Sequence, residues 1–215
     1  MMKIVCISDT HGSFPNRLPS GDLLIHAGDW SSSGAYADTK IFLQKIKPIA
    51  QDYGRVICVP GNHDRWVEQN QLLAMSEFDE SGIQLLIDQS TVYENTLIYG
   101  MPWTPIFGNW AFMGDLAKRK SRNNKIPTNT EILITHGPPL LYLDKLAHNG
   151  SIPFAHVGCE AISEALLRVK PKLHAFGHIH EGAGVLQHPC GTLLVNASFM
   201  DEEYRPTNPF AVVHL

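Results

Sequence analysis

Five short apolar runs, each stopping on a group of polar, chemically capable residues, constrain this chain more than any other feature. Residues 3–8 run into Asp9-Thr10-His11, and residues 22–26 pass through Ala27 and Gly28 to Asp29. Residues 55–59 pass through Pro60 and Gly61 to Asn62-His63-Asp64. Residues 131–135 run into His136-Gly137, and residues 173–176 pass through Gly177 to His178-Ile179-His180. Runs this short, rich in β-branched residues and apolar almost throughout, read as strands covered on both faces. In open α/β sheets, ligands bind outside the carboxyl ends of the strands. Five such ends would bring acids, an amide and imidazoles to one edge.

The rest of the chain supplies the cover. Residues 35–49 place Ile41, Phe42, Lys45, Ile46 and Ile49 at mixed helical spacing, with an end expected near Pro48. Residues 158–169 place Ile162, Ala165, Leu166 and Val169 on one helical face. Shorter strands are expected at 83–87, 91–94, 96–101, 184–187, 192–195 and 211–214. Strands and helices in this order predict an α/β fold, a mixed sandwich of two packed sheets with helices outside. With 215 residues and no repeat or linker-like tract, one domain spanning 1–215 is expected.

The polar groups suit metal ions. Carboxylate oxygen and neutral imidazole nitrogen are good donors for manganese, iron, zinc or nickel. The motifs contain no cysteine, which argues against a structural zinc site. A shared carboxylate holds two ions about 3.5–4 Å apart in two-metal hydrolases. Taken singly, each fragment is an ordinary turn after a strand. Their joint occurrence, in this order and each after a strand, points to a site.

The formal net charge of −4 argues against a broad basic surface for nucleic acid or anionic membranes. Bound cations would still admit a small phosphate ligand. Cys6, Cys58, Cys159 and Cys190 form no CxxC pair and read as thiols in a reducing compartment. No apolar run approaches the roughly 20 residues that span a bilayer, so a cytoplasmic location is expected. The aromatic segment 101–112, with Trp103, Phe107, Trp110 and Phe112, reads first as a small core and alternatively as a stacking wall for a nucleobase. The basic run Lys118-Arg119-Lys120-Ser121-Arg122 reads first as a solvated helix face and alternatively as a phosphate attractor. His26, His148, His156, His174, His188 and His214 lie outside the motifs and receive no role.

The set Asp9-Thr10-His11, Gly28-Asp29, Gly61-Asn62-His63-Asp64, His136 and Gly177-His178-Ile179-His180 resembles the signature of the calcineurin-like metallophosphoesterases. A closer resemblance is to the metallophosphoesterase-domain brain proteins and their microbial relatives, a group akin to the class III cyclic nucleotide phosphodiesterases. It rests on YGMPWTP at 99–105, THGPP at 135–139, HVGC at 156–159, PKLHAFGHIHEG at 171–182, NAS at 196–198 and RPTNP at 205–209. The resemblance implies a four-layer αββα sandwich with the site at the strand ends. It implies one ion on Asp9, His11, Asp29 and His180, and a second on Asp29, Asn62, His136 and His178, with Asp29 bridging. Manganese is the first expectation for the two divalent ions, with iron, zinc, nickel or cobalt as alternatives.

The corresponding chemistry is attack of metal-activated hydroxide on phosphorus. His63 would protonate the leaving group or stabilise its charge, and Asp64 would either orient His63 or cap a turn. The expected substrate is a small phosphodiester such as a cyclic nucleotide. A phosphomonoesterase, including a protein phosphatase, is the enzyme alternative, and a non-catalytic scaffold of the same fold is the other. No stable nucleic acid complex is expected.

Overall fold

The computed structural model describes residues 1–146 and 155–215; His148 lies outside them. The first half of the chain forms β1 (Lys3–Ile7), β2 (Leu23–His26), α1 (Tyr36–Ala50), β3 (Arg55–Cys58), α2 (Arg65–Gln69), α3 (Gln71–Glu80) and β4 (Gln84–Leu85). There follow β5 (Gln89–Tyr93), β6 (Thr96–Met101), β7 (Thr104–Pro105), β8 (Met113–Gly114), α4 (Leu116–Asn123) and β9 (Ile132–Thr135). The remainder forms β10 (Lys145–Leu146), β11 (Ala155–His156), α5 (Glu160–Val169), β12 (Leu173–Phe176), β13 (Gly184–Gln187), β14 (Leu193–Asn196) and β15 (Ala211–His214).

Two mixed sheets carry the fold. One has the order β15-β1-β2-β3-β4, parallel except for β15, which pairs with β1 from Lys3↔His214 onward. The other has the order β13-β14-β12-β9-β6-β5, with antiparallel strands only at its two edges. Strand alternation sorts the apolar side chains. Ile4, Cys6, Leu23, Ile25 and Ile57 of the first sheet meet Ile98, Ile132, Ile134, Leu173 and Val195 of the second in a shared interior. Val5, Ile7, Leu24 and Val56 turn the other way, to Phe42, Leu43 and Ile46 of α1 and Phe78 of α3. Leu133, Phe176 and Leu194 turn outward to Ile162, Ala165, Leu166 and Val169 of α5. The result is a four-layer αββα sandwich, and burial on both faces explains why the strands read as continuous apolar runs.

At the carboxyl edge the sheets are stitched together. Ser8, just past β1, bridges Ser198, just past β14, and its N–H donates to Ala197 O at 2.8 Å. This brings the ends of β1, β2, β3, β9 and β12 to one place.

Local expectations need three corrections. The apolar stripe of α1 is Phe42, Leu43 and Ile46, while Ile41 faces out, and the helix continues past Pro48 to Ala50. A proline in the last turn disturbs little of the helical bonding. The basic run is helical and solvated except at Arg119, though its cations are paired. Arg119 is buried and binds Glu160 at 2.7 Å, Lys120 binds Glu164, Arg122 binds Asp88, and the Lys118 ammonium sits 4.0 Å from the Trp103 ring centroid. The aromatic segment divides. Trp103 and Phe112 are core, whereas Phe107 and Trp110 are exposed on the rim of a cavity.

Candidate metal centre

Sharp turns deliver the side chains. Asp9 (φ 53°), His11 (φ 38°), Asp29 (φ 57°) and His178 (φ 72°) all adopt left-handed backbone, and Gly28 lies at φ 107°. Non-glycine residues in that region cost on the order of 1 kcal/mol or more each and persist only when the surroundings over-determine them. Here backbone bonds do so. Asp9 N–H donates to Gly28 O at 2.9 Å and His11 N–H to Asp29 O at 3.0 Å, which locks the loop after β1 onto the loop after β2.

Asp64 locks the loop after β3 to the same place. Its buried carboxylate accepts from the backbone N–H groups of Asp29 (2.9 Å), Ser31 (3.1 Å) and Gly61 (2.7 Å). It does not orient His63, whose Nδ1 lies 3.1 Å from Ser32 O. Its bond from Gly61 N–H caps the turn 61–64, in line with the turn-capping alternative, while it makes no side-chain cap bond to the helix that follows. Adjacency in sequence pointed to His63, but the side chain runs the other way. Burial and the Asp29 charge raise the Asp64 pKa, and its N–H donors only partly offset that.

The ligand candidates converge. Asp9 Oδ2 accepts from His178 N–H at 2.9 Å and Ser198 Oγ at 2.8 Å, leaving Oδ1 buried, unpartnered and 3.6 Å from His180 Nε2. Asp29 Oδ1 accepts from His63 N–H at 2.7 Å. Its Oδ2 lies 3.3 Å from His136 Nε2 and 4.0 Å from His11 Nε2. Asn62 Oδ1 is 2.9 Å from His136 Nε2. Three imidazoles place Nδ1 against a backbone carbonyl: His11 on Ser31 O, His136 on Ala27 O and His180 on Asp201 O. A carbonyl only accepts, so each Nδ1 carries the proton and each Nε2 is left for a ligand.

These residues fit divalent cations. Asp9, His11 and His180 offer donor atoms within 4.8 Å of one another, as do Asp29, His136 and His178, and a third grouping joins His11, Asp29 and His63. Asp9 Oδ1 and His11 Nε2 are buried polar atoms with no hydrogen-bond partner in the protein. Such atoms are costly unless something else satisfies them. The donors are oxygen and imidazole nitrogen without thiolate, a set suited to borderline divalent metals.

A cavity of about 510 Å³ opens over them. One wall is Pro105, Ile106, Phe107 and Trp110; Leu146, Val157, Ile179 and Tyr204 also line it. Among the described lining residues none is Lys or Arg.

The calcineurin-like phosphoesterase family profile matches residues 2–182. This chain belongs to the calcineurin-like phosphoesterase family. It is 35% identical over 239 residues to human metallophosphoesterase domain-containing protein 1, covering 99% of this chain and 71% of that protein. It is 32% identical to a UPF0046 protein of Caenorhabditis elegans, covering 95% of this chain and 77% of that one. A solved structure from Thermus thermophilus superposes with a TM-score of 0.66 at 12% identity, covering 99% and 98% of the two chains, and so shares the fold. As a calcineurin-like phosphoesterase the protein is a metal-dependent phosphoester hydrolase, and the Asp/His groups above are where it can hold divalent metal. Among the described residues no helix is long and apolar enough to cross a membrane.

Several contributors carried no role in the sequence reading. Asn196 Oδ1 accepts from Ser198 N–H at 3.1 Å, which leaves the Ser198 hydroxyl proton for Asp9, while Asn196 Nδ2 donates to Ile179 O, so NAS at 196–198 braces both Asp9 and the HIH loop. Arg205 and Thr207 bind the Asp201 carboxylate, and the Asp201 carbonyl faces His180. The loop they hold brings the Tyr204 ring centroid 4.9 Å from His11 and 5.1 Å from His180. His26 Nε2 pairs with Thr10 Oγ1 at 3.2 Å and His174 Nε2 with Thr135 Oγ1 at 2.8 Å, one buried imidazole beneath each half of the site. Spacing alone cannot place these contacts, because their partners are remote in sequence.

Charge in the metal-free protein sets a pH response. Burial pushes the imidazoles down, but the Asp29 charge beside His136 and the Asp9 carboxylate facing His180 outweigh it and lift both to about 9. Burial leaves His178 at about 3, already neutral. Both lifted groups therefore stabilise the metal-free fold fully below their unfolded value, and that contribution is lost as pH rises through about 9. Metal must displace those protons. Titrating stripped protein with Mn²⁺ in weak buffer near neutrality should release about two protons, and binding should tighten as pH rises toward 9. Affinity flat across that range would contradict this.

Proposed function

We propose that the protein is a dinuclear metal-dependent phosphodiesterase acting on small diesters such as cyclic nucleotides. One observation carries the reading: Asp29 Oδ2 lies between His136 Nε2 (3.3 Å) and His11 Nε2 (4.0 Å), beneath a cavity whose described walls hold no Lys or Arg. Asp9, His11, Asp29 and His180 would hold one ion; Asp29, Asn62, His136 and His178 would hold the other. Two divalent ions, manganese first, supply Lewis acidity and lower the pKa of water.

The walls favour a diester. A phosphate monoester approaches two negative charges near neutrality and gains from a cationic side chain. A diester carries one charge and two organic groups, for which apolar walls are suitable. The cavity is within the usual size range for small-molecule sites. The net charge of −4 likewise supports a small ester over nucleic acid. Four free thiols, three of them buried, fit a cytoplasmic setting.

His63 serves the leaving group in this reading. Its Nδ1–H is tied to Ser32 O, which leaves the other ring nitrogen for the departing oxygen. His63→Asn should lower kcat by about 10²–10⁴-fold on esters with poor leaving groups, while two metals per chain remain. Loss of an ion in that variant would make His63 a ligand.

The direct test is to strip the protein and reload it with Mn²⁺, Ni²⁺, Zn²⁺ or Mg²⁺. Each form is then assayed on bis-p-nitrophenyl phosphate and p-nitrophenyl phosphate. Faster metal-dependent cleavage of the diester is expected. Preference for the monoester would make the protein a phosphomonoesterase, and failure to take up metal would remove the dinuclear reading.

A further inference from the structure

Trp110 is a large apolar residue that no core explains. It is 38% exposed, yet its backbone is fastened on both sides. Ala111 N–H donates to Asn62 O at 3.1 Å, and the Arg65 guanidinium donates to Asn109 O and lies 5.3 Å from the indole centroid. Both anchors belong to the segment that carries His63. Phe112 N–H adds a bond to Glu68 Oε1 at 2.8 Å. The effect is to set the indole flat against the His63 imidazole, with centroids 4.4 Å apart and planes 27° from parallel. The opposite constraint is the edge of His11, at 4.6 Å and 81°.

We propose that Trp110 is a positioning residue for His63, a conclusion that rests on the leaving-group role given to His63 above. A half-exposed imidazole tethered by one bond to Ser32 O can still turn about that bond. An indole stacked on its face restricts the turn and holds the free nitrogen toward the departing oxygen. In the step concerned, hydroxide adds to phosphorus and the scissile P–O bond breaks. Its electron pair stays on the alcohol oxygen, and that oxygen takes the proton from His63, leaving a neutral imidazole.

Leaving-group dependence separates this role from a plain substrate wall. p-Nitrophenolate departs without help, whereas phenolate needs a proton. The Mn²⁺-loaded enzyme and its Trp110→Leu, Trp110→Phe, His63→Asn and double variants are assayed on methyl p-nitrophenyl phosphate and methyl phenyl phosphate. Trp110→Leu should lose kcat about three- to tenfold on the phenyl ester, the scale of one aromatic stack. It should lose less kcat on the nitrophenyl ester, and because Trp110 also lines the cavity, any rise in KM should be equal on the two esters. Trp110→Phe should restore most of the loss, and Trp110→Leu should add nothing in the His63→Asn background. Equal kcat losses on both esters, or additivity with His63→Asn, would overturn the proposal. If His63→Asn is leaving-group selective and Trp110→Leu is silent, the inference fails alone. If His63→Asn shows no selectivity, the leaving-group role falls and the inference with it.

Discussion

Asp29→Asn should cost the protein both metals at once. The amide keeps the shape of the carboxylate, can accept from His63 N–H as Oδ1 does now, and tolerates the left-handed backbone at this position. What it removes is the negative charge at Oδ2, the atom lying between His136 and His11. We expect metal content well below one equivalent per chain and turnover lowered on the order of 10³-fold or more, beyond the effect of losing one electrostatic contact. Elemental analysis and a diester assay on the same sample decide it. Two equivalents bound with near-normal turnover would rule out Asp29 as the bridge. His180→Ala should instead lose a single ion, since His180 belongs to one donor group only.

Gly177→Ala should be strongly damaging for the addition of a single methyl group. The backbone of Gly177 donates to His136 O at 2.8 Å, and its Cα passes so close to the loop after β1 that a Cβ would run into the Asp9 carboxylate and the Ser8 hydroxyl. Asp9 cannot retreat, because its Oδ2 is held by His178 N–H and Ser198 Oγ. Overpacking of this kind costs roughly 1–3 kcal/mol, which for a chain of this length lowers Tm by about 2–12 °C. Metal stoichiometry should fall with it on the Asp9 side. Melting in excess chelator separates the packing loss from the metal loss. An unchanged Tm and full metal loading would show that the loops have slack there.

The convergence of the ligand candidates was legible because chemistry and topology coincide in it. Each ligand candidate follows an apolar run, and parallel strands must present their carboxyl ends together. The helices were less legible. α3 buries only Ala74 and Phe78 and leaves Leu72 and Leu73 exposed, so it has no apolar stripe to read. The pairing of the α4 cations, and the burial of Arg119, were hidden because their partners, Glu160, Glu164 and Asp88, are remote in sequence. Asp64 shows the same limit at the site. Its residue type and position were plain, but its three backbone partners depend on side-chain direction. The left-handed turns at Asp9, His11, Asp29 and His178 were also hidden, since glycine usually marks such turns and here non-glycine residues occupy them.

The bond between Ser198 and Asp9 spans 189 positions. A ribosome makes Asp9 early and Ser198 late. Until the later segment has emerged, β1 lacks β15 as a neighbour, and Asp9 and His180 lack the braces from Ser198 and Asp201. A nascent chain can therefore carry every residue of the donor set without having the centre. Hydrolytic capacity would arrive only after β14 and β15 dock, so nascent chains without them would be silent toward phosphate esters and their exposed β1 edge would be open to aggregation.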